Sequence, residues 1–105
     1  MADNDPRRYT LHENLCALLG TRYCYFQPPE SLKLQFPCIV YELDKLSTKH
    51  ADNKPYSLSK FYTITYIYTD PDDSLPEKIA MLPTCSFNRH FVSDGLYHDV
   101  FKLYF

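Results

Sequence analysis

Phe61-Tyr62-Thr63-Ile64-Thr65-Tyr66-Ile67-Tyr68-Thr69 is the stretch that decides the fold. Every residue in it is β-branched or aromatic, the types that pack well on a pleated surface and lose rotamer freedom in a helix. It is the strongest strand in the chain. The segment that follows turns away from it. Asp70-Pro71-Asp72-Asp73 is a turn, and Ser74 with Glu77 has the Ser-x-x-Glu spacing of a capping box. Leu75, Ile79 and Leu82 recur at helical spacing and Pro83 stops the run, so a short second helix is expected.

Beyond that helix the chain reads as a hairpin. Cys85–Val92 and Leu96–Phe105 flank Ser93-Asp94-Gly95, and Asp-Gly is a strong turn signal because Gly takes positive φ freely. Phe101, Leu103 and Phe105 share one face; Val100, Lys102 and Tyr104 share the other. His90 and His98 flank the turn and are expected to face each other as surface polar residues, while Asp99 should point to the face opposite His98.

Upstream of Phe61 the pattern changes. Residues 44–59 are polar, with Ala51-Asp52-Asn53-Lys54-Pro55 as a turn at the centre. The segment is too long for a plain connection, which leaves a mobile loop or a hairpin arm. Cys38–Leu43 alternates as a strand, with Cys38 and Val40 on one face and Ile39, Tyr41 and Leu43 on the other. Arg22–Phe26 is a short aromatic strand, broken by Pro28 and Pro29. Pro6–Leu19 reads as an amphipathic helix. Asp5 is its cap, Leu11, Leu15, Leu18 and Leu19 form its apolar face, and Gly20 supplies the left-handed residue that ends it. The element order is α-β-β-β-α-β-β. That order predicts an α+β fold, a single domain over residues 1–105 with a largely antiparallel mixed sheet and two helices packed on one face.

Composition narrows the function classes. The 105 residues include 10 Tyr and 7 Phe but no Trp and only 2 Gly. Scarce Gly excludes a phosphate-cradling loop, and abundant Tyr points to strands and protein interfaces. The net charge of −2 lacks the uniform basic footprint of a nucleic-acid binder. Charge is uneven, however. Between Asp44 and Lys60 four lysines stand against two aspartates, whereas Asp70–Glu77 holds four acids and no base. No apolar run is long enough to span a membrane. The polar, acidic start Met1-Ala2-Asp3-Asn4-Asp5-Pro6 reads as no signal peptide. Cys16, Cys24, Cys38 and Cys85 contain no CxxC pair, so no zinc ribbon or redox motif is expected; they read as reduced, small buried hydrophobes.

No catalytic constellation emerges. His12 and Cys16 stand one helical turn apart, but Cys16 borders the apolar stripe and a nucleophilic site needs a third, orienting group. The carboxylates of Asp70–Glu77 suit a helix start rather than a cleft. The aromatic strand carries no base beyond Lys60, unlike a nucleic-acid sheet. The chain is therefore read as a non-enzyme without cofactor or metal.

Four segments resemble the small tail-terminator, or tail-completion, proteins of long-tailed, siphovirus-like bacteriophages. They are Phe36-Pro37-Cys38-Ile39-Val40-Tyr41-Glu42, Ala51-Asp52-Asn53-Lys54-Pro55-Tyr56, Ile67-Tyr68-Thr69-Asp70-Pro71-Asp72, and the closing stretch from Cys85-Ser86-Phe87-Asn88-Arg89-His90-Phe91 through Asp94-Gly95-Leu96-Tyr97-His98-Asp99-Val100-Phe101. The element order also resembles the lambda-type tail-terminator fold. The resemblance implies a structural virion protein, a homohexameric ring on the head-proximal end of the tail tube. Such a ring stops tube polymerisation, docks the head-completion or stopper ring, and passes DNA through its lumen without binding it specifically. The family offers no residue motif to carry across. The residues themselves nominate two regions. Lys45, Lys49, Asp52, Asn53, Lys54 and Tyr56 are the candidate arm that meets a neighbour or the tube. Asp70, Asp72, Asp73 and Glu77 are the candidate acidic run facing the lumen or a partner. Two other readings compete: a head–tail connector or stopper of the phage neck, and a small nucleic-acid-binding sheet protein.

Overall fold

A computed structural model describes residues 6–51 and 54–104, with the backbone alone at residues 6, 50–51 and 54–58. Helix α1 (Pro6–Leu19) leads into a short strand β1 (Cys24–Phe26) and two long strands, β2 (Cys38–Ala51) and β3 (Lys54–Tyr68). Helix α2 (Leu75–Ala80) and a closing pair, β4 (Cys85–Ser93) and β5 (Leu96–Tyr104), complete the order. The fold is α+β, as the element order predicts. One five-stranded sheet runs β1-β2-β3-β5-β4. All its pairings are antiparallel except β1 with β2, which are parallel and joined by residues 27–37. A parallel pair needs a crossover rather than a hairpin, and the prolines of that segment keep it out of the ladder.

The period-2 pattern of β3 sorts its side chains cleanly. Tyr62, Ile64, Tyr66 and Tyr68 point to one face, where they pack with Ile39 and Tyr41 of β2, Phe101 and Leu103 of β5, and Leu11, Leu15, Leu75 and Ile79 of the helices. Both helices lie on this face, and Leu15, Ile39, Tyr41, Ile64, Ile79 and Phe101 are fully buried there. Truncating a buried leucine such as Leu15 to Ala would cost about 2–5 kcal/mol in lost transfer energy and cavity. Gly20 ends α1 with φ +81° while its N–H bonds to the Cys16 carbonyl. The β4–β5 turn places Asp94 and Gly95 both at positive φ, the tight two-residue turn that Asp-Gly favours.

Three local expectations are decided by the observed pairing and caps. First, of the mobile loop and the hairpin arm expected for residues 44–59, the arm is what forms, because β2 and β3 pair from Cys38↔Ile67 out to Ala51↔Lys54. Second, Ser74 and Glu77 form no capping box. Ser74 already has helical dihedrals and makes no side-chain cap bond. Asp73 takes the role instead, its Oδ1 accepting the Leu75 N–H at 2.9 Å while Oδ2 accepts the Tyr66 hydroxyl. A carboxylate pinned from the sheet side needs no further ordering to cap the helix, so it displaces the serine. Third, the turn has two residues rather than three, which moves the β4–β5 register by one. His90 therefore faces Asp99, and His98 faces Phe91. The proposed Asp5 cap and Phe105 lie outside the described residues.

Candidate assembly surface

The arm is the feature that departs most from a simple packed sheet. Among the described residues, β1 pairs with β2 at Ile39–Tyr41 and β5 with β3 from Phe61 to Tyr68. Beyond Lys45↔Phe61 no other described strand lies beside the β2–β3 ribbon. Six further residues of β2 carry it roughly 20 Å past the body at about 3.3 Å per residue. The molecule is correspondingly long, 51 × 30 × 23 Å.

Two irregularities shape the arm. Leu43 pairs with Tyr62 and Lys45 with Phe61, so Asp44 is an extra residue in β2. The bulge turns Asp44 toward Lys102 of β5, whose Nζ lies 3.0 Å from Asp44 Oδ2 and 2.9 Å from Thr63 Oγ1. It also sets the Lys45 ammonium 5.0 Å above the Phe61 ring. A second shift, between Lys49↔Ser57 and His50↔Pro55, makes Tyr56 the extra residue on the returning strand. Of the nominated arm residues, Lys45 and Lys49 are exposed on β2 and Lys54 and Tyr56 belong to β3. Asp52 and Asn53 lie outside the described residues. Leu46, 54% exposed beside the lysines, adds an apolar contact point that charge reading overlooked.

The nominated acids sit at the other end of β3. Asp70 folds the turn, its Oδ1 accepting the Asp72 N–H at 3.0 Å and its carbonyl the Asp73 N–H at 3.1 Å. Asp73 is half-buried in the cap just described. Asp72 and Glu77 remain exposed, and Glu77 lines a shallow hollow with Ser74, Lys78 and Met81. Met81 is 84% exposed. The fifteen residues of β3 thus separate a basic arm from an acidic turn by about 50 Å of extended chain.

Two further surfaces had little signal in the sequence. The face opposite the helices presents Val40, Phe61, Phe91 and Tyr104, with Lys45, Arg89 and Lys102 among them, while Ile67 and Val100 on the same face are buried. There the Phe91 and His98 rings stack at 4.6 Å and Arg89 lies over Phe91. The other surface is the outer edge of β4, which among the described residues pairs with β5 alone and leaves Phe87 and Val92 more than half exposed. A nine-residue edge with exposed apolar side chains is a ready pairing site for another chain, tempered here by the bulge at Asn88.

Buried polar groups cluster under the helices. Asp99 is 4% exposed, accepts the Tyr68 hydroxyl at 2.7 Å and pairs with His90 Nδ1. Tyr66 and Tyr68 stack at 4.9 Å, and the His90 ring lies against Tyr97. Burial and the neighbouring Asp73 and Asp99 carboxylates hold both phenols in the protonated form. At the opposite corner, burial pushes the Tyr41 phenol up to about 12, and Arg8 only partly offsets it. Tyr41 Oη lies 2.7 Å from His12 Nδ1. The His12 ring is lowered from its usual value by burial, then by the Arg8 charge. The four cysteines are free; Cys24 and Cys38 are buried, and burial pushes the Cys38 and Cys85 thiols up to about 11.

Through the Asp99 carboxylate, the His90 ring and the Tyr68 hydroxyl join β4, β5 and β3. No protein-family model and no curated protein matches the chain.

Proposed function

We propose that this chain is the subunit of a homohexameric tail-terminator ring, which caps the head-proximal end of a phage tail tube and docks the head-completion or stopper ring. The observation that carries the reading is the separation along β3 of an exposed lysine-bearing arm from an exposed acidic turn. A closed ring is built from heterologous contacts, in which one patch of each copy meets a different patch of the next. An arm at one end and a complementary charge at the other supply such a pair. The unpaired edge of β4 and the apolar face without helices add area for neighbours, consistent with the Tyr- and Phe-rich composition. Acids at Asp72 and Glu77 suit a lumen that lets DNA slide, because basic phosphate contacts would hold it.

The test is assembly. Light scattering after size exclusion, on the protein alone and with tail-tube protein, should give a six-subunit ring that shortens tube polymers. A strict monomer in both conditions defeats the reading. A phage lacking the gene should make filled heads and overlong tails; leaking heads beside normal tails would favour the stopper instead.

A second reading has its own observation. Phe61, Phe91 and Tyr104 share a sheet face with Lys45, Arg89 and Lys102, an aromatic and cationic surface of the kind that stacks single-stranded bases. Asp44 already neutralises Lys102, which weakens it. Absence of salt-sensitive binding to single-stranded DNA or RNA at low ionic strength would remove this alternative.

A further inference from the structure

His12, Cys16 and Cys24 come from two elements and converge on one point. His12 and Cys16 are one turn apart on α1 and so project from the same side of the helix. Cys24 opens β1, and the turn that begins at Gly20 carries it back against that side. A ring nitrogen of His12 and the two Sγ atoms all lie within 4.8 Å of one another. Cys24 is buried, and His12 and Cys16 are half-buried. A cleft of about 720 Å³ opens beside them, lined by His12, Glu13, Cys16, Gly20, Thr21 and Arg22.

We infer that this cluster is a zinc site, with His12, Cys16 and Cys24 as the protein ligands and the fourth position open to the cleft. The donor set is the borderline-soft mixture of thiolate and imidazole that Zn²⁺ takes. Tetrahedral zinc places its thiolate sulfurs roughly 3.8 Å apart, given Zn–S bonds of about 2.3 Å. A cluster within 4.8 Å needs only a small contraction to reach that geometry. The charge also balances. Each thiol gives its proton to solvent as its sulfur binds, so two thiolates neutralise the dication and the metal with its three ligands carries no net charge.

The surroundings orient the histidine. Tyr41 Oη lies at hydrogen-bond distance from His12 Nδ1, and Arg8 Nη1 donates to the same oxygen at 3.5 Å. With Nδ1–H donated to the Tyr41 oxygen, the Nε2 lone pair is left for the metal, the outer-shell arrangement that metal-binding histidines usually have. Binding would tie α1 to the edge strand β1, which is only three residues long. No CxxC spacing announces the site, since the ligands stand at positions 12, 16 and 24.

The experiment uses the full chain, reduced and stripped of metal. Titration with Zn²⁺ against a chromophoric chelator should show one equivalent bound, and thermal unfolding should move upward with that equivalent. Co²⁺ in place of zinc should give sulfur-to-cobalt charge-transfer bands and the d–d bands of a tetrahedral site. X-ray absorption on the zinc form should count two sulfurs. Cys16→Ser and His12→Gln, at half-buried positions, should each weaken binding by more than the roughly 10–100-fold that loss of an outer hydrogen bond costs such sites. Tyr41→Phe should fall in that 10–100-fold range, and Cys85→Ser should change nothing. Absence of a bound equivalent overturns the inference. So does a cobalt spectrum without thiolate bands, affinity indifferent to Cys16→Ser and His12→Gln, or a Cys16–Cys24 disulfide in a chain that binds no zinc when reduced.

Discussion

Asp99 stands directly opposite His90 across the β4–β5 ladder, and its buried carboxylate is shared between the His90 ring and the Tyr68 hydroxyl. The pair joins the sheet edge to its centre, because Tyr68 belongs to β3. Replacing Asp99 with Ala strands a buried phenol and a histidine together and should cost about 2–4 kcal/mol in urea unfolding. His90→Ala should cost less, about 1–2 kcal/mol, since water reaches the exposed side of that site. The double variant should lose less than the sum, and strict additivity would show that the two side chains are not coupled.

The start of α2 distinguishes two caps that look alike in the sequence. Asp73→Ala removes the acceptor of the Leu75 N–H and the partner of the Tyr66 hydroxyl, so a loss of about 1–3 kcal/mol is expected. Ser74→Ala should stay within about 0.5 kcal/mol, because that side chain makes no cap bond. Thermal or urea unfolding of the two variants side by side decides it, and equal losses would restore the capping box.

Alkaline pH should unfold the protein through its buried acids. Burial raises Cys38 from 9.0 to about 11 and Tyr41 from 10.0 to about 12. The unfolded chain therefore releases these protons first, and stability falls as pH rises above about 9, flattening once the folded values are passed. Cys38 alone accounts for up to about 2–3 kcal/mol by pH 11 at about 1.4 kcal/mol per unit. Cys38→Ala should lower stability at neutral pH but make its decline between pH 9 and 11 shallower. An unchanged decline would mean that the thiol does not titrate in the unfolding.

The arm can be removed at a point that only the register reveals. Leu46 pairs with Lys60, so replacing residues 47–59 with Asn-Gly closes a two-residue hairpin on an intact ladder. The melting temperature should move by less than about 4 °C, equivalent to under about 1 kcal/mol. Ring assembly should be lost. An armless protein that still forms six-subunit rings would assign assembly to the β4 edge or the open sheet face instead.

The elements were legible because their signals are local. Gly20 supplies the left-handed residue that ends α1, Asp94-Gly95 turns a hairpin by its own dihedrals, and the unbroken β-branched and aromatic run Phe61–Thr69 favours a strand on its own. The sequence by itself therefore determined the order of elements and the single sheet, whereas packing against the helices decided that Tyr62, Ile64, Tyr66 and Tyr68 form the buried side of β3. Relations between elements were not legible, because they turn on single-residue shifts and distant meetings. A bulge at Asp44 and a two-residue turn at Asp94-Gly95 decide which charges meet, and one residue of register exchanges His98 for Asp99 opposite His90. Asp73 outcompetes Ser74 as a cap because Tyr66 arrives from the sheet to hold it. His12, Cys16 and Cys24 carry no motif spacing, and they meet because the chain reverses after α1 and lays β1 parallel to β2. Tertiary structure alone decided these contacts, since each depends on packing energy gained between segments whose own local preferences are silent about it.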